Sequence, residues 1–225
     1  MFCNEILHGD ATETLTQLPD HHADLIVTDP PYLVNYRDRS GRSLANDDNA
    51  AGVLPVFPEL WRVLKPDSYC VLFCGWSAIA QFSAAWEAAG FKTVGHIVWA
   101  KGYTSSARHL QYRHESAWLL AKGRPKAPSQ PLPDVMRWHY SGNRSHPTEK
   151  AVKVIAPLVR AFSQPGDLVL DPFLGSGTTA VAAALAGRRY LGIELEERYC
   201  ALARKRVAGA ARFHGSTAQE SGLAA

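Results

Sequence analysis

Two short apolar runs in this sequence stop in the same way: Asp24-Leu25-Ile26-Val27-Thr28 ends at Asp29-Pro30-Pro31-Tyr32, and Leu168-Val169-Leu170 ends at Asp171-Pro172. Short runs rich in Val, Ile and Leu, closed by turn residues, read as strands buried on both faces. Others lie near Glu5 to Leu7, Tyr69 to Cys74, Val94 to Trp99, Ser116 to Ala121 and Arg189 to Ile193. Helical periodicity fills the intervals at Ala11 to Gln17, Val53 to Leu64, Ser77 to Ala89, Pro147 to Phe162, Thr178 to Ala186 and Glu196 to Val207. Such alternation predicts an α/β fold, a mostly parallel, doubly wound sheet with helices on both faces. A chain of 225 residues holds one such domain, here 1–208.

Two segments break the rhythm. Residues 35–52 are polar and rich in Gly, Asn and Asp, and residues 123–143 carry four prolines, so neither reads as a sheet element. Long loops in a compact domain are usually functional, and 35–52 is expected to be a mobile loop. Residues 209–225 are small and polar without a period, which predicts a disordered tail. No apolar stretch approaches the roughly 20 residues that span a bilayer, and Met1-Phe2-Cys3-Asn4-Glu5 lacks the layout of a signal peptide; a cytoplasmic protein is expected. The four cysteines form no C-x-x-C pair and read as buried free thiols, and the nine histidines lack ligand spacing, so no metal is expected.

The run from Leu168 to Thr179 is a strand, a glycine turn and a helix start. Glycines let the backbone approach a ligand closely, and free N–H groups at a helix start favour a phosphate or a carboxylate. A nucleotide triphosphate loop needs a lysine where Thr178 stands, and the G-x-G-x-x-G dinucleotide pattern also fails. Asp171, just before the turn, suits an ammonium group beside a carboxylate, the end of an amino acid. About twenty residues beyond the turn, Glu194 closes the next strand, where an acidic side chain commonly accepts from both ribose hydroxyls. Alternatively, Glu194 caps the following helix. An amino-acid end and a ribose end together describe S-adenosylmethionine.

The turn at Asp29 offers only acceptors, because two prolines remove two N–H donors and leave carbonyls beside the carboxylate. A site of acceptors suits a substrate NH₂ group, and Tyr32 offers a flat face on which a base can stack. The net charge of +3 is only mildly basic. Its distribution says more: Arg37, Arg39 and Arg42 follow the acceptor turn, Lys101, Arg108 and Arg113 follow a strand, and Lys122, Arg124, Lys126, Arg137 and Arg144 lie in or beside the proline-rich stretch. Three loop clusters beside one site point to phosphate contacts, with Arg37, Arg39, Arg42, Lys101, Arg108, Arg113, Arg137 and Arg144 as candidates.

The Asp29-Pro30-Pro31-Tyr32 turn, the loop from Asp171 to Thr179 and the H-P-T-E-K segment from His146 to Lys150 resemble the amino-methylating DNA methyltransferases that act on adenine N6 or cytosine N4. The acceptor turn precedes the cofactor loop, as in that family's beta arrangement, a circular permutation of the commoner order. The resemblance covers about Glu5 to Val207. It implies a circularly permuted, Rossmann-like methyltransferase fold with a seven-stranded sheet. It implies S-adenosylmethionine as cofactor, with S-adenosylhomocysteine as product, and double-stranded DNA as partner. It implies catalytic roles for Asp29, Pro30, Pro31 and Tyr32. For the cofactor it implies Gly9, Asp10, Asp29, Lys150, Asp171, Pro172, Phe173, Gly175, Ser176, Gly177, Thr178, Thr179 and Glu194. Pro147 and Glu149 would open a helix beside the cofactor; the family's following proline is Ala151 here. Residues 123–143 would form a short target-recognition segment, and so little recognition surface suggests a homodimer on a short target. A companion restriction enzyme is a further partner to expect.

Cytosine-N4 methylation uses the same scaffold, typically with Ser where Asp29 stands, so Asp29 favours adenine. An RNA or protein-glutamine methyltransferase and a non-catalytic DNA-binding module are the alternatives. The permuted order and the His146 to Lys150 element weigh against the first, and the intact acceptor turn and cofactor loop against the second.

Overall fold

The computed structural model describes residues 2–33, 47, 49–142 and 149–221, the last eleven of these as backbone only. In chain order the elements are β1 (Glu5–His8), α1 (Ala11–Leu15), β2 (Ala23–Thr28), α2 (Ala50–Val53), α3 (Val56–Val63), β3 (Leu64–Phe73), α4 (Ile79–Ala89), β4 (Lys92–Ala100), β5 (Ser106–Ala107), β6 (Gln111–Tyr112), β7 (His114–Lys122), β8 (Val135–Arg137), α5 (Val152–Phe162), β9 (Leu168–Asp171), α6 (Thr178–Leu185), β10 (Arg189–Glu194) and α7 (Glu197–Ser221). Eight strands form one sheet in the order β1-β10-β9-β2-β3-β7-β4-β8, and β5 with β6 forms a separate hairpin. Within the large sheet β7 runs antiparallel to β3 and β4, and the other neighbours are parallel.

Strand alternation sorts the core. Ile26, Cys70 and Leu72 face one layer with Phe57, Leu60, Phe82 and Trp86 from α3 and α4. Leu25, Val27, Val71 and Phe73 face the other, with Ile155, Leu158 and Val159 of α5 and Ala182 of α6. The strands that carry Asp29 and Asp171 are neighbours, with Leu25 opposite Val169 and Ile26 opposite Leu170. From this pair the chain winds outward in opposite directions, β2 through α3 to β3 and β9 through α6 to β10, on opposite faces of the sheet. A crevice opens at such a switch point, at the carboxyl ends of the strands.

The sequence pattern predicts seven strands, and the sheet has an eighth. Val135–Arg137 lies inside the proline-rich stretch read as lacking sheet structure, yet pairs parallel with β4. It is an edge strand just past Pro133, a place where proline costs no ladder bond. The helix expected over Val53 to Leu64 divides at Pro55, whose missing N–H ends α2 and starts α3. The helix expected from Pro147 begins at Val152 instead, because Ala151 is extended. Where 209–225 reads as a disordered tail, α7 continues to Ser221, the alanines after Val207 sustaining it past Gly209. The mobile loop expected at 35–52 lies largely outside the described residues. No helix among the described residues is long and apolar enough to cross a membrane.

Candidate active site

Asp171 ends β9 with 4% of its surface exposed. Thr28 Oγ1 donates to its Oδ1 at 2.9 Å and the Phe173 N–H at 3.1 Å, with Thr179 a further hydroxyl donor. These donors are neutral and only partly offset burial, which pushes the carboxyl up from 3.8 to about 7. Among the described residues no cation pairs with it.

The loop beyond it bends through positive φ at Gly175 (54°) and Gly177 (89°). At Gly177 a Cβ would stand 2.6 Å from the Ala203 Cβ, so this glycine lets α7 pack against the loop. The Gly175 N–H donates to Glu194 Oε2 at 2.8 Å, and the Glu196 N–H to Oε1 at 2.8 Å. Glu194 thus caps the turn after β10, as the alternative reading of it has it, and also clips the glycine loop; its burial raises its pKa. With the Leu195 N–H as a third backbone donor, the carboxylate keeps acceptor capacity on one side.

Asp29 follows the end of β2. The Tyr32 hydroxyl donates to its Oδ1 at 2.7 Å, and the Lys150 ammonium donates to Oδ2. Tyr32 is half-buried, and a Cβ at Gly75 would lie 3.2 Å from its ring. Burial, then the neighbouring Asp29 charge, holds its phenol well above the ordinary tyrosine range.

Between the two turns lies an open cleft of about 440 Å³. It brings together Asp29, Lys150, Asp171, Phe173, Gly175, Ser176, Thr178 and Thr179 of the residues expected from sequence, and adds Thr28, Phe73 and Glu149. Pro30 is buried and Pro31 half-buried beneath the turn, and Pro172 is buried in the loop. Glu194 touches the cleft through Gly175, and Gly9 touches Glu194, its N–H donating to the Glu194 carbonyl at 3.0 Å. Asp10 caps α1, its Oδ1 accepting from the Thr12 and Glu13 N–H groups. Lys150 lines the cleft with its ammonium held on Asp29.

Arg206, on α7, is a residue the sequence reading misses. Its Nη1 donates to the Ser176 carbonyl at 2.8 Å and to Ser176 Oγ at 2.6 Å, and pairs with Glu149 Oε1 at 2.9 Å. Glu149 is therefore tied to the glycine loop, whereas sequence predicts it in the first turn of a helix. No local signal marks an arginine that acts across thirty residues of chain.

Among the expected phosphate contacts, Arg108, Arg113 and Arg137 are exposed. Lys101 is not available for that role: it is 8% exposed, donates to Ser105 Oγ at 2.9 Å and pairs with Glu115. Lys122 is likewise buried, donating to backbone carbonyls of Trp61 and Leu64. Arg37, Arg39, Arg42, Arg144, His146 and Pro147 lie outside the described residues. Cys70, Cys74 and Cys200 are buried and Cys3 half-buried, all four as free thiols. Among the described residues no three His, Cys, Asp or Glu side chains gather as a metal group.

A family model described as DNA methylase matches residues 23–205. YubD of Escherichia coli (strain K12), a methylase by name, is 50% identical over 209 residues, covering 93% of this chain and 92% of that one. The type II methyltransferase M2.DpnII of Streptococcus pneumoniae is 27% identical, covering 90% of this chain and 88% of its own. Among solved structures, the M1.HpyAVI-SAM complex superposes with a TM-score of 0.72 at 27% identity, covering 90% of this chain and 98% of that chain.

Proposed function

Because the chain belongs to the N6/N4 DNA methylase family, we propose that it transfers a methyl group from S-adenosylmethionine to the exocyclic N6 of an adenine flipped out of DNA. The observation that carries this is the pairing of β2 with β9, which sets an acceptor turn and a glycine loop side by side around one cleft. The base follows from Asp29, since the cytosine-N4 members of the resembling group typically have serine there.

The cleft fits the cofactor by charge. Asp171, buried among neutral donors, would hold its ammonium; the N–H groups at the start of α6, with Arg206 behind Ser176, would hold its carboxylate; the remaining acceptor capacity of Glu194 would take the ribose. When bound, S-adenosylmethionine supplies an electrophilic methyl group.

An aromatic NH₂ is a poor nucleophile because its lone pair is delocalised into the ring. Asp29 and the Pro30 carbonyl accept its two N–H bonds, pyramidalise the nitrogen and direct the lone pair into the cleft. Asp29 retains a free lone pair on each oxygen for this, even with Tyr32 and Lys150 attached. As the new N–C bond forms, the nitrogen loses one proton, which Asp29 accepts. Base flipping is required because this nitrogen is out of reach in a stacked duplex, and Tyr32 stacks on the extruded base. In the same reading the chain works in the cytoplasm on double-stranded DNA, two copies share a short target, and a restriction enzyme of matching specificity is the companion to seek beside it.

The test is mass spectrometry of nucleosides from DNA incubated with protein and S-adenosylmethionine, with Asp29→Ala in parallel. N6-methyladenine from the wild type and at least a hundredfold less from the variant are expected. N4-methylcytosine alone would replace the base, and an Asp29→Ala protein at wild-type rate would remove the mechanism.

A further inference from the structure

The β5–β6 hairpin stands at the same edge of the sheet as the cleft. It leaves the carboxyl end of β4, which runs in the same direction as β2 and β3 because β7 is antiparallel to both of its neighbours. From Lys101 to His114 the sequence holds lysine, arginine and histidine but no carboxylate. The base of the hairpin is fixed: Ser105 N–H donates to the Tyr112 carbonyl at 2.8 Å, Lys101 N–H to the Arg113 carbonyl at 2.8 Å, and the Lys101 ammonium is tied to Glu115. Its side is joined to the catalytic turn, since Tyr112 stacks on Trp76 at 5.9 Å and 13°, and Trp76 follows Gly75, against which the Tyr32 ring rests.

At the tip, between paired residues Ala107 and Gln111, stand Arg108, His109 and Leu110. Leu110 is 70% exposed, the highest value among the exposed large apolar side chains of the described residues. A single exposed leucine is ordinary. This one sits on a short, anchored projection that carries Arg108 and Arg113 and no carboxylate, beside an acceptor turn, a placement that fits duplex DNA by charge and by shape. Taking a base out of a duplex leaves a gap whose neighbours lose their stacking contacts, and an apolar side chain inserted there restores them.

On the reading that the chain methylates a base taken out of duplex DNA, we propose that Leu110 is the wedge that enters the stack at the vacated position. Arg108 and Arg113 grip the flanking phosphates, and the Trp76–Tyr112 stack forms the ledge between the gap and the cleft. Leu110 is a positioning residue: it stabilises the opened duplex and touches neither the target nitrogen nor the cofactor.

Sequencing of methylated DNA first supplies the target site. Two duplexes carrying it are then compared, one with the target base paired and one with it mispaired, so that opening costs less. Leu110→Ala is expected to lower kcat/KM about tenfold or more on the paired duplex and to stay within about twofold of wild type on the mispaired one. Leu110→Met, which keeps a wedge, should act like wild type on both, as should Val94→Ala on a distant exposed site. With 2-aminopurine at the target position and S-adenosylhomocysteine present, Leu110→Ala should show less of the fluorescence rise that reports unstacking. Equal losses on both duplexes, or an unchanged rate with a full fluorescence rise, would overturn the wedge while leaving the methyltransferase reading intact. A wild-type protein that methylates no DNA would overturn both.

Discussion

Lys150 and Asp29 form a shielded ion pair across the cleft, 9% and 21% exposed at their side chains, with the ammonium 5.6 Å from the Tyr32 ring centre and 5.1 Å from that of Phe73. On the proposed reading the pair fixes the acceptor for the substrate amino group, and it draws the segment before α5 into the cleft. Lys150→Met keeps the apolar stem and removes the charge. Turnover should fall at least about tenfold while cofactor affinity changes little, because the lost contact is to Asp29. Single-turnover transfer and calorimetry separate the two; a large loss of affinity at preserved turnover would make Lys150 a cofactor ligand instead.

Asp171 should couple cofactor binding to protons. Its folded value of about 7 lies above the ordinary 3.8, so it favours the folded protein most below about pH 4 and withdraws that contribution as pH rises through about 7. The melting temperature of the free protein should therefore have a downward component between about pH 4 and 7 that Asp171→Asn removes. An ammonium group bound there favours the carboxylate, so binding near pH 6.5 should release up to about one proton. Identical calorimetric heats in buffers of different ionisation enthalpy would contradict this.

Arg206→Met should loosen the glycine loop without touching the catalytic turn. It removes one partner of Glu149, whose side chain is only 7% exposed, and should lower the melting temperature. Cofactor affinity should drop with it, and hydrogen exchange should accelerate at residues 174–179 more than at 28–32. Unchanged exchange in the loop would reduce Arg206 to a surface contact.

The turns at the strand ends were legible because proline and glycine act locally: Asp29-Pro30-Pro31 and Gly175 to Gly177 bend the chain in ways that few other residues permit. The cap made by Asp10 was legible too, as an acid one residue before a helix. Lys101 and Lys122 were misread because a lysine in a loop or at a strand end looks solvated until the fold closes over it. Arg206 had no signal, since its partners Glu149 and Ser176 meet it only in three dimensions. The strand Val135–Arg137 was hidden by the prolines around it.

Salt dependence should separate the cations. Arg108→Gln and Arg113→Gln, both exposed, should each reduce the slope of log affinity for DNA against log salt by about 0.9. Lys101→Gln breaks a buried pair, so it should lower the melting temperature and leave the slope alone. Titrations by fluorescence anisotropy at several salt concentrations decide it, and a flattened slope for Lys101→Gln alone would reverse the assignment.

The sheet order imposes a schedule on the chain as it is made. Among the described residues β1 pairs with β10 alone, and β2 is bordered on one side by β9, so two of the first strands wait for two of the last. Arg204 of α7 then seals that edge by donating to the Ile6 carbonyl at 2.8 Å. A nascent chain on the ribosome can assemble β3, β4 and β7 with their helices, but the cleft does not exist until nearly the whole sequence has emerged. Such long-range pairing is slow and leaves strand edges open meanwhile. Ribosome-bound intermediates should therefore bind neither cofactor nor DNA productively, and early termination should yield aggregation-prone chains, never a weakly active methylase.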